Sequence, residues 1–138
     1  MLDSILIDVV KRSANEARDY AESCMGMTEG GIAVEIICYD KNGDYDYSLM
    51  IDRPFGKARK HREYRDFLMG QVKDAHSRLV GGQKPIPVGW EGSSIVYEYR
   101  SLSYDNDGGN FSVIIGAVGG SERQNRRLTE FIANAISE

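Results

Sequence analysis

The sharpest chemical feature of this sequence is a run of cations: Arg53, Lys57, Arg59, Lys60, Arg62 and Arg65 stand against Asp52 and Glu63 in a chain of formal net charge −4. Cations set this densely can hold an anion, and if a helix opens near Phe55, its free backbone N–H groups add positive potential at the same end. The same residues also suit a solvated helix face pairing with acids such as Asp66 and Asp74. A second candidate is Gly116-Ala117-Val118-Gly119-Gly120-Ser121, which runs from an apolar stretch into a helix start, where backbone amides can cradle an anion. It is not a full phosphate loop. Ser121 with Gln124 three residues on also reads as a capping box, which explains the same residues without a ligand.

Other constellations fall short of a site. His61 and His76 are 15 positions apart on what the pattern makes one helix, so about 22 Å apart along it, and cannot ligate one metal ion. His61 shares a face with Tyr64 and Leu68 that points towards the sheet; an axial haem ligand, a general base and a plain hydrogen-bonded histidine all remain open for it. Asp40-Lys41-Asn42-Gly43-Asp44 begins like a calcium loop, but Tyr45 stands where the glycine belongs and Ile51 where the closing acid belongs. Asp105-Asn106-Asp107 beside glycines is what a hairpin turn requires. GxSxG, Walker A, HExxH and CxxC patterns do not occur. No catalytic residue, metal site or cofactor is assigned.

The elements that must position these residues follow from periodicity. Leu2, Ile5, Leu6, Val9, Val10, Ala14, Ala17, Ala21 and Cys24 form one helical face, and the helix should stop near Gly26. Ile32–Tyr39 is β-branched and mostly apolar on both faces, a central strand; the Asn42-Gly43 turn joins it to a second strand over Tyr45–Ile51. Pro54 fits a strand exit or a helix opening, and a long helix follows from Lys57 to Val80, with Tyr64, Leu68, Val72, Ala75 and Leu79 in one stripe. Gly81 to Gly92 reads as a loop pinned by Trp90. Ser94–Tyr104 and Phe111–Val118 make a second hairpin across a long Asp105–Asn110 turn, and Leu128, Phe131, Ile132, Ala135 and Ile136 face inward from a closing helix.

The order α-ββ-α-ββ-α predicts one α+β domain over residues 1–138, a single antiparallel sheet of four to five strands flanked by helices. The length suits one core. A composition 41% hydrophobic and 28% charged is ordinary for a globular chain, and the acidic balance disfavours nucleic acid as a partner. With no apolar run near the ~20 residues that span a bilayer and no secretory pattern at the start, a cytoplasmic protein with no membrane partner is expected. Cys24 and Cys38 are then reduced thiols acting as small apolar residues.

Three stretches resemble the GlcG/HbpS-like (haem-degrading-protein-like) family, which includes the C-terminal type of domain of cob(I)alamin adenosyltransferases. They are Ile36-Ile37-Cys38-Tyr39-Asp40-Lys41-Asn42-Gly43, Phe55-Gly56-Lys57-Ala58-Arg59, and Ile115-Gly116-Ala117-Val118-Gly119-Gly120-Ser121 with Gln124. They are similar to that family's apolar strand and turn, the start of its second helix, and its closing strand, glycine turn and helix. The resemblance implies a profilin-like sheet and ligand binding. Residue chemistry and resemblance together give the expectation of a non-catalytic domain for a small anionic ligand, a tetrapyrrole or organic acid, held by Lys57, Arg59, His61, Arg62, Gly119, Gly120 and Ser121. The alternative is a roadblock- or longin-like homodimeric interaction module, which shares the element order; a homo-oligomer is expected in either case.

Overall fold

A computed structural model of the chain describes residues 4–56, 98–106 and 109–137, with residues 66, 70, 72–74, 76–78 and 80 as helical positions and residue 81 as a turn. The elements in chain order are α1 (Ser4–Ser23), β1 (Glu29–Tyr39), β2 (Tyr45–Gly56), β3 (Glu98–Asn106), β4 (Gly109–Val118) and α2 (Glu122–Ser137). The result is a mixed α+β structure on an antiparallel sheet in which the described strands lie in the order β2-β1-β4-β3.

β1 pairs with β2 on one side and β4 on the other, so its backbone is hydrogen-bonded along both edges and its β-branched side chains are buried on both faces. At the β1–β2 turn the Asp40 carboxylate accepts from the Asn42 and Asp44 amides at 2.8 and 3.0 Å, while Gly43 supplies φ 85°. Alternation then sorts the faces. Ile32, Val34, Ile36 and Cys38 meet Ile51, Phe55, Phe111, Val113, Ile115 and Ala117 in one core with Leu6, Val10, Ala14, Ala17 and Ala21 of α1 and Leu128, Ile132, Ala133 and Ile136 of α2. Ala33, Glu35, Ile37 and Ile114 point the other way. Helical residues Val72 and His76, one turn apart, cover that second face: Val72 is fully buried, and His76 Nδ1 lies 2.5 Å from Glu35 Oε1.

Several expectations change. β2 continues through Pro54 and Phe55 to Gly56, so no helix opens at Phe55; Gly31 pairs with Pro54 and Gly30 with Phe55. Proline is tolerated there because β2 is an edge strand among the described residues, where every second N–H has no ladder partner. The Phe55-Gly56 part of the resemblance therefore lies on a strand, with the Phe55 ring wholly buried in the core. The expected Asp105–Asn110 turn is shorter: Asn106 pairs directly with Gly109. Ile5 is 69% exposed and Phe131 39% exposed, so neither belongs to the inward face assigned to it. Cys38 is buried as expected, but Cys24 lies exposed beyond the end of α1.

Candidate functional site

The turn from β4 into α2 is fixed by its own side chains. Ser121 Oγ accepts from the Gln124 amide at 3.2 Å and Gln124 Oε1 accepts from the Ser121 amide at 2.9 Å, the capping box read from the sequence. Buried Asn125 turns back to Gly120, accepting from its N–H at 3.0 Å and donating to its carbonyl at 3.3 Å. Gly119 sits at φ 116°, and a Cβ there would stand 2.5 Å from the Glu29 carbonyl oxygen. Only glycine permits that approach of two backbones. Gly119 and Gly120 thus have a structural role, and the amides of Gly120, Ser121 and Gln124 are already occupied.

Beside this cap lies a recess of about 370 Å³ lined by Cys24, Met25, Ser121, Arg123, Gln124 and Arg127. Its wall is made where α1 ends against the start of α2: Gln124 Nε2 donates to the Met25 carbonyl at 3.3 Å and ties the two together. Arg123 and Arg127, four residues apart on α2, project from one helix face, both exposed, and neither has an ion-pair partner among the described residues. Arg126, between them, is held by Glu122 at 2.7 Å. The recess therefore carries two uncommitted guanidinium groups beside the positive end of a 16-residue helix, the electrostatics of an anion site.

Of the expected ligand residues, Ser121 lines this recess. Lys57, Arg59, His61 and Arg62 lie outside the described residues. Arg53, the first cation of the basic run, is structural: its Nε donates to Asn15 Oδ1 of α1 at 2.6 Å and its Nη1 to the Asp52 carbonyl at 2.8 Å. Sequence reasoning missed Arg123 and Arg127, although their spacing directly after the capping box was available as a signal. It also missed Glu35, the only charged residue of the Ile32–Cys38 run.

The two thiols differ in setting. Cys24 is exposed on the recess, whereas burial pushes the Cys38 thiol above its ordinary value; a hydrogen bond with Tyr47 pulls it part of the way back. Among the described residues there is no group of three or more metal-ligating side chains, and no helix is long and apolar enough to cross a membrane. Compared with protein-family models, curated proteins and solved structures, the chain matches none.

Proposed function

We propose that this chain is a small-ligand-binding domain that holds an organic acid anion, without converting it, in the recess at the start of α2. The observation that carries this reading is the pair Arg123 and Arg127, neither with an ion-pair partner among the described residues and both lining a concave surface. Arginine presents a planar fork that matches a carboxylate bidentately, and the helix end adds favourable potential. With the amides of Gly120, Ser121 and Gln124 occupied, the guanidinium groups and the Ser121 hydroxyl are the side-chain contacts offered to a ligand. A volume of about 370 Å³ lies at the low end of ligand sites, roughly 300–1,000 Å³, and favours an organic acid over a tetrapyrrole. Ligand binding is also what the resemblance to the GlcG/HbpS-like family implies.

One observation favours a second reading, the homodimeric interaction module. Among the described residues β2 is an edge strand, and it carries exposed Tyr45 and Tyr47, a surface suited to pairing with a second copy. Native mass spectrometry, first of the purified protein and then with added citrate, separates the two. A citrate adduct that disappears in the Arg123→Ala/Arg127→Ala variant supports the binding domain. A dimer that takes up no citrate at any concentration replaces it with the second reading.

A further inference from the structure

On the opposite face of the sheet, Glu35 and His76 form a pair that the arginine recess does not use. Glu35 is 4% exposed and stands on β1 between Met50 of β2 and Ile114 of β4, an apolar setting for a carboxyl group. Its Oε1 meets His76 Nδ1 at 2.5 Å. Its Oε2 is buried and has no hydrogen-bond partner among the described residues. An unpaired buried oxygen of this kind costs free energy, so its retention asks for an explanation. The pair forms part of the wall of a groove of about 560 Å³, completed by Tyr45, Lys73, Ser77 and Val80. The Tyr45 ring packs 5.0 Å from the His76 imidazole, tilted by 60°.

With Nδ1 committed to the carboxylate, Nε2 is the ring nitrogen left for a ligand, and it has no partner among the described residues. The groove therefore sets His76 Nε2, an acceptor when Nδ1 carries the ring proton, beside the buried Glu35 carboxyl group and an aromatic face. We propose that it is a binding site for a small planar cation with paired N–H donors, of the amidinium or guanidinium class. Such a cation, once a small turn of the Glu35 side chain opens Oε2 to the groove, supplies the hydrogen bond that this oxygen lacks and lies against Tyr45 in a cation–π contact. Lys73 is exposed and its charge is screened by solvent, whereas that of Glu35 is not, so the groove's inner end favours a cation. This site is independent of the anion recess, which lies against α1 and α2 on the other face.

Benzamidine is the probe, with benzoate as a control of the same shape and opposite charge. Both are titrated into the full chain while the His76 ring signals are followed by NMR. The expected result is saturable movement of the His76 signals with benzamidine alone, affinity lower by about tenfold or more in Glu35→Gln, and no change in Arg123→Ala/Arg127→Ala. Should Glu35→Gln fail to fold, exposed Tyr45→Ala decides: the site requires it to weaken benzamidine as well. Equal binding of benzoate, unaltered affinity in the Glu35 and Tyr45 variants, or no saturable shift with benzamidine overturns the proposal.

Discussion

Replacing His76 by alanine takes away the single described partner of Glu35, a residue only 4% exposed. Breaking a buried pair by removing one member costs about 3–5 kcal/mol, because the other is left uncompensated. The His76 side chain is 16% exposed and lines a groove, so water reaches the gap and the low end, about 3 kcal/mol, is expected. For 138 residues the unfolding entropy is about 0.3 kcal/mol per kelvin, so the melting temperature should fall by about 10 °C. Glu35→Leu/His76→Leu should behave otherwise: with both polar groups gone and Met50 and Ile114 already flanking the site, stability should lie within about 1 kcal/mol of wild type or exceed it. Urea unfolding of wild type, Glu35→Leu, His76→Leu and the double variant gives the coupling energy as a cycle. A fall of less than about 2 °C for His76→Ala, or a double variant as damaged as the sum of the singles, would refute the buried pair.

Other outcomes follow from the same packing. Phe55→Ala, at a fully buried ring where β2 meets the α1 core, should cost about 3–5 kcal/mol in urea unfolding. Ser121→Ala opens the capping box and should cost about 1 kcal/mol, with faster hydrogen exchange of the Gln124 amide. Cys24 should react with a thiol reagent in the folded protein while Cys38 stays protected until unfolding. Because the folded Cys38 thiol is raised above its ordinary 9.0, its contribution to stability is present below that pH and is lost as pH climbs towards the folded value. Cys38→Ala should remove that part of the alkaline slope in thermal melts.

Periodicity revealed α1, β1, β4 and α2 because their apolar spacing is enforced by burial. Val10, Ala14, Ala17 and Ala21 could not have been placed on any other face. It failed where tertiary context overrides local preference. Pro54 looked like a terminator, yet an edge strand absorbs it. Phe131 sits at helical spacing beside Ile132 but turns outward, and Ala133 takes the buried position. The capping residues Ser121 and Gln124 were legible because their chemistry is local. The Glu35–His76 pair was not: it joins positions 41 residues apart, and only the burial of the second sheet face brings them together. The arginine recess depends likewise on α1 ending against α2, through the Gln124 contact with Met25, a separation of 99 residues.

If Arg123 and Arg127 make the recess an anion site, anion binding there must depend on both. Isothermal titration of citrate into the wild-type chain and into Arg123→Ala/Arg127→Ala, each at low and high ionic strength, tests it most directly. Wild type should bind citrate saturably and more weakly as salt rises, since both guanidinium groups are exposed, and the variant should not bind it. Equal citrate affinity in the two proteins, or no binding to wild type at low salt, would contradict it.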